Sequence, residues 1–261
     1  MKQMLLFSAI AGIIGTGLGG AISAILLKKS SETMTCWMLS FAGGVMTSIV
    51  CFGLVPEAIA LSGIIVTLFG LVLGVAVIMG LSRIVDAITD IKGEELKVHY
   101  THEQLYHESP IIHDRTRMLR SGMLMLTAIG LHNIPEGIAI GAGGSHDFHL
   151  GALLAIMIAL HNIPEGMAIA APLLAGGVNR LKVIFLTALS GAPTLLGGLA
   201  GLLIGSISGT AIATSLSAAG GAMLYIVFGE IIPQSVIMTK NRTASIVTLV
   251  GILVGLIVTK I

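Results

Sequence analysis

Two histidines and two glutamates, the donor set of a metal site, stand in a stretch of this chain that occurs twice. Leu131-His132-Asn133-Ile134-Pro135-Glu136-Gly137-Ile138-Ala139-Ile140 returns as Leu160-His161-Asn162-Ile163-Pro164-Glu165-Gly166-Met167-Ala168-Ile169, with nine of ten residues identical. On a helix, His132 and Glu136 are four residues apart and share one face, and so do His161 and Glu165. If the two helices run antiparallel and meet at their midpoints, two imidazoles and two carboxylates converge at one depth.

Two imidazole nitrogens with two carboxylate oxygens form a borderline-soft set whose charge balances a divalent cation. That chemistry favours zinc or ferrous iron, manganese or cobalt over calcium, magnesium or monovalent copper. Without thiolate the affinity is moderate, which suits a site that must release its ion. Pro135 and Pro164 each withhold an N–H and displace the carbonyl four residues back, at Leu131 and Leu160, leaving a backbone oxygen able to bind. Asn133 and Asn162 add amide oxygens on a neighbouring face, and Gly137 and Gly166 permit close approach. The competing reading is that each His–Glu pair satisfies itself and only fixes helix register; repetition on two helices exceeds what register requires.

The surroundings of the motif are apolar. The 261 residues are 55% hydrophobic and only 10% charged, against about a quarter charged in soluble domains. The chain therefore reads as an all-α membrane protein. Its net charge of +1 gives no basis for a nucleic-acid partner, and the partner it does need is the lipid bilayer. Cys36 and Cys51 make neither a disulfide framework nor a thiolate site. Stretches able to cross a core that takes about 20 helical residues fall near 4–27, 35–60, 63–85, 118–143, 148–174, 182–207, 210–236 and 242–260. The first lacks a small-residue cleavage site before the next and is read as a retained helix.

Loop charge orients these eight spans. Lys28 and Lys29, then Arg83, Lys92, Lys97, Arg115, Arg117 and Arg120, then Arg180 and Lys182, then Lys240 and Arg242 flank the odd-numbered links, twelve of fourteen basic residues. The even links carry none, and Lys2 and Lys260 sit near the termini. The positive-inside rule makes the odd links cytoplasmic and both termini extracytoplasmic. A second repeat aligns Ser40–Glu57 with Ser217–Gln234 at an offset of 177, with eight of eighteen residues identical. The two segments are the middle helices of three-span groups and run in opposite directions, so the groups form inverted repeats, a recurring transporter plan. The expected organisation is a first three-helix repeat at 1–85, a cytoplasmic loop at 86–117, a central metal-binding helix pair at 118–174 and a second three-helix repeat at 182–261.

Charged acids inside a span cost at least roughly 2.5–3.5 kcal/mol each, so those present call for a use. Besides Glu136 and Glu165, Glu57 and Glu230 lie inside spans near Pro56 and Pro233, and they join His132, Asn133, His161 and Asn162 as candidate metal-binding positions. The loop at 86–117 carries His99, His102, His107 and His113 among acids; it is either a weak metal buffer or a solvated linker. Ser145-His146-Asp147-Phe148-His149, between the motif helices, is either a cation entrance or a polar turn.

At these residues the chain resembles the ZIP family of metal-ion transporters, in its bacterial ZupT-like branch. The resemblance spans nearly the whole chain: eight spans, outward termini, a histidine-bearing third link and the hexapeptide HNIPEG in the fourth and fifth. It implies uptake of divalent metal into the cytoplasm across the cell (inner) membrane, with spans arranged three, two and three. It also implies His132, Glu136, His161 and Glu165 as primary ligands, with Asn133 and Asn162 bordering a second metal position. The ligand-bearing helices would move against the second and seventh as a scaffold. Members of this branch commonly carry a sixth-helix glutamate where this chain has Thr194, and Gly53 aligns with Glu230, so one good site with a weak second is expected.

These readings converge on a transporter for zinc, with iron, manganese, cobalt and cadmium as other candidate ions, working by alternating access without a catalytic cofactor. No nucleotide-binding motif points to ATP, while downhill flow and proton coupling both stay open, as does a homodimer. The alternative from another class is an intramembrane zinc-dependent hydrolase. It needs a general acid/base beyond the ligands, and the central acids are already used as ligands. A metal-sensing receptor would need an output segment, for which only 86–117 is available.

Overall fold

The computed structural model describes residues 2–27, 32–89, 115–204, 209–238 and 242–259, and among these the regular structure is helical. The histidines of the cytoplasmic loop, His99, His102, His107 and His113, lie outside the described residues, as do Lys28, Lys29, Lys92, Lys97, Lys240 and Lys260.

Helix α1 runs over Lys2–Leu26 with a π-helical turn at Ile10–Ile14. Helix α2, Glu32–Ile49, passes through a second π-turn at Val50–Leu54 into α3, Val55–Thr89. The motif helices are α4, Arg115–His146, and α5, Phe148–Ala175. Then α6, Arg180–Ser190, and α7, Ala192–Ile204, are parted at Gly191. Helix α8, Gly209–Ile226, continues through a third π-turn at Val227–Ile231 into α9, Ile232–Met238, and α10 covers Thr243–Val258.

Six of the described runs are long and apolar enough to cross a bilayer, and α10, with 16 residues, is shorter. One run, Thr33–Gly80, has 48 residues, more than twice one crossing. The expected span 35–60 falls inside it, and 63–85 begins in it and ends within α3. Gly63 breaks it with φ 78° and ψ 172°, a left-handed conformation that strongly favours glycine. The expected sixth span lies in one apolar run, Arg180–Leu203, built of two helices, because Pro193 lacks an N–H to continue α6.

The burial pattern is that of a protein in lipid. Ile65, Phe69, Val72, Leu203 and Leu253 stand exposed, while Ser8, Thr16, Ser40, Ser48, Thr187 and Ser217 are buried. Several buried hydroxyls close their bonds locally: Thr16 donates to the Gly12 carbonyl, Ser23 to Gly19 and Ser217 to Ala213. With the outer surface apolar and the polar groups inside, the chain is an all-α, multi-pass membrane protein.

The helices pack in matched pairs: α3 on α8 as α2 on α10, α4 on α7 as α1 on α5, and α2 on α5 as α4 on α8. The match extends to single atoms. A Cβ at Gly251 would strike the Phe41 carbonyl, and one at Gly74 the Ala218 carbonyl, and both members of the two pairs differ by 177. The π-turns obey the same offset. Val55 N–H reaches back five residues to Val50, and Ile232 to Val227, each just before Pro56 or Pro233.

Candidate metal centre

Helices α4 and α5 lie against each other and bring the two motif copies face to face. His132 Nε2 lies 2.9 Å from Glu136 Oε1 on its own helix and 3.4 Å from Glu165 Oε1 on the other. His161 Nε2 reaches across to Glu136 Oε1 at 2.7 Å. One donor atom each from His132, Glu136 and Glu165 falls within 4.8 Å of the others, a grouping that could hold an ion. His161 adjoins that grouping through Glu136.

All four groups are removed from solvent, none more than 4% exposed. Their bonding is incomplete: both nitrogens of His132, Oε2 of Glu136 and both carboxylate oxygens of Glu165 are buried with no hydrogen-bond partner. Buried acceptors without donors cost about 1–3 kcal/mol each, more when charged, and a cation among them would satisfy several together. Tetrahedral zinc with bonds near 2.0–2.1 Å has ligand edges of roughly 3.3–3.4 Å. The 3.4 Å separation matches that edge; the shorter ones need a small outward movement of the carboxylate.

The asparagines do something the sequence does not announce. Asn133 Nδ2 donates to the Ser190 carbonyl at 2.8 Å, and Asn162 Nδ2 to the Ala11 carbonyl at 2.9 Å. Both acceptors sit where a helix is interrupted, at the end of α6 and in the π-turn of α1, so each amide binds a carbonyl freed by the break. Their Oδ1 atoms remain buried and unpartnered, beside the cluster in sequence and available as further oxygen donors.

Close backbone approach holds the motif helices to α1 and α7. A Cβ on Gly166 would strike the Thr16 carbonyl, one on Gly137 the Thr194 carbonyl, one on Gly19 the Ile163 carbonyl and one on Gly197 the Ile134 carbonyl. The pairs interchange when 29 separates the motif residues and 178 the others. Sequence reading missed this third repeat, although Thr16-Gly17-Leu18-Gly19-Gly20 and Thr194-Leu195-Leu196-Gly197-Gly198 share four of five residues. Thr194, found where an acid was expected, thus has a mirror in Thr16, also a threonine. Its Oγ1 is buried without a partner, whereas that of Thr16 is bonded.

Glu57 and Glu230 are not brought to the cluster. Glu57 is exposed, and Glu230 is half-buried in the π-turn after α8. In the link between the motif helices, Asp147 Oδ1 accepts from His149 N at 3.0 Å and caps α5.

An apolar helical bundle enclosing a buried His–Glu cluster defines a multi-pass membrane protein built to handle a divalent cation. A family profile described as "ZIP Zinc transporter" matches residues 87–261. The zinc transporter ZupT of Akkermansia muciniphila is 32% identical over 260 residues, covering 97% of this chain and 93% of that protein. The zinc transporter ZupT of Escherichia fergusonii is 32% identical over 234 residues, covering 89% and 87%. The chain belongs to the ZIP family.

Proposed function

We propose that the chain takes up zinc into the cytoplasm, with His132, Glu136, His161 and Glu165 holding the ion between α4 and α5. The observation that carries this reading is the contact of His161 with Glu136 across the two motif copies, within a buried cluster whose remaining oxygens have no partner. Asn133 and Asn162 border the ion, and Glu57 and Glu230 lie outside it on the flanking helices. Membership of a family of transporters, and relatives named zinc transporters, favour transport over hydrolysis. Iron, manganese, cobalt and cadmium are the competing ions, since the donor set accepts any borderline first-row cation.

Counting the kinked run Thr33–Gly80 as two crossings and α10 as one gives eight spans. The offsets of 29, 177 and 178 then relate three spans to three around the central pair, which supports inverted repeats and alternating access. Loop charge puts both termini outside the inner membrane. The two-copy homodimer is kept as the assembly to test. Zinc influx into proteoliposomes loaded with a metal-sensitive dye tests the function: wild-type protein raises the signal above empty vesicles, and no rise refutes it.

A further inference from the structure

Two halves related by repeat have equal environments only if the molecule treats its two faces alike, and near the metal centre it does. His132 and His161 are both 4% exposed, Leu131 and Leu160 41% and 40%, Ile129 and Ile158 1% and 4%. Toward the two ends of the bundle this equality fails, and at the pairs that follow it fails in one sense, although Met123, 42% exposed against a half-buried Ala152, goes the other way. Leu124 is 2% exposed and its counterpart Leu153 is 50%; Met238 is 8% and its counterpart Leu61 is 39%. On the face of α4 that leads to the site, Met125 and Ala128 are fully buried, whereas their counterparts Leu154 and Met157 are half-buried.

The sealed end is where α4 begins and α9 ends, and a polar contact joins them. Ser121 Oγ donates to Gln234 Oε1 at 3.1 Å, and Gln234 Nε2 lies 3.3 Å from Met118 Sδ. Ser121 is buried. At the other end the repeat puts Glu57 in place of Gln234 and Leu150 in place of Ser121. A leucine side chain has no hydroxyl to offer, and Glu57 is exposed.

We propose that Gln234, bound to Ser121 and Met118, is a one-sided latch that keeps the end of the bundle at the start of α4 closed in the metal-free protein, while the end at the start of α5 stands open. This rests on the transporter reading, in which α4 and α5 shift against α2 and α8. By the loop charges the closed end is the cytoplasmic one, so the resting protein waits with its centre accessible from outside. Because no equivalent bond stands at the outer end among the described residues, the two conformations are unequal by about one hydrogen bond, a bias of on the order of three- to tenfold in population.

The test uses full-length protein in nanodiscs, where both faces are accessible, with Cys36→Ser and Cys51→Ala removing native thiols. Reporter cysteines are placed singly by Ala128→Cys and Met157→Cys, and their rates of reaction with a soluble maleimide are measured without metal. The expected result is faster labelling at 157 than at 128. Gln234→Leu and Ser121→Ala should each raise the rate at 128 by roughly three- to tenfold, and Glu57→Gln should leave both rates unchanged. Equal or reversed labelling of the two reporters, or a rate at 128 that either latch variant fails to raise, overturns the proposal. Zinc influx is read separately, so a protein with the expected labelling but no influx would refute the transporter reading and leave the latch standing.

Discussion

His161 of one motif copy lies 2.7 Å from Glu136 of the other, so neither copy is a self-contained pair. Glu136 also stands 2.9 Å from His132, which makes it the shared member of the group. Glu136→Gln should therefore weaken zinc binding at least as much as loss of either histidine, by tenfold or more on the order of a single ligand's contribution. Isothermal titration of purified protein checks this, and wild-type affinity in Glu136→Gln would show that the carboxylate is not a ligand.

The asparagine amides hold interrupted helices, whereas the His–Glu groups are left with unmet bonding. These two roles predict opposite effects on the metal-free protein. Asn133→Leu leaves the Ser190 carbonyl buried without a donor and should lower stability by about 1–3 kcal/mol. Glu165→Leu removes two buried oxygens that have no hydrogen-bond partner and only a 3.4 Å contact with His132, and should leave stability equal or raised. Thermal unfolding in detergent, with and without zinc, separates them.

Close approach makes Gly166 intolerant of any side chain, because the Thr16 carbonyl occupies the place of its Cβ. Gly166→Ala should cost about 1–3 kcal/mol through forced separation of α1 and α5. Gly80→Ala, where nothing lies within 4 Å, should be neutral or slightly stabilising. The same unfolding measurement distinguishes the two, and equal losses at both positions would refute the packing argument.

Imidazole and carboxylate must be unprotonated to bind metal, so protons compete with zinc at His132, His161, Glu136 and Glu165. Zinc affinity should fall as the solution is made more acidic. Equilibrium dialysis at stepped pH checks the sign, and affinity that rises on acidification would contradict it.

Much of this was legible in the residues because the repeats are written in them. The doubled HNIPEG marked the four side chains that the structure brings together, and the 177 offset identified helices that carry π-turns at matching positions. Other features were hidden for physical reasons. A π-turn adds one residue to a helix without changing its apolar pattern, so only Pro56 and Pro233 hinted at two of them, and nothing marked Ile10–Ile14. Leu61-Ser62-Gly63 is apolar and short, and the helix breaks there on one left-handed glycine. Glu57 reads as an acid inside a span, but a helix inside a span still has an exposed face, and Glu57 lies on it. The T-x-L-G-G echo at Thr16 and Thr194 was present all along, visible only once the carbonyl contacts at Gly137 and Gly166 showed which residues to align.

The central claim is that two motif copies make one centre through which zinc passes. It is tested most directly by zinc influx into dye-loaded proteoliposomes for two double variants, His132→Ala with Glu136→Ala and His161→Ala with Glu165→Ala. A shared centre predicts that each abolishes influx to the level of empty vesicles although the other copy is intact. Half-maximal influx in either variant would mean that each copy conducts alone and would contradict the account.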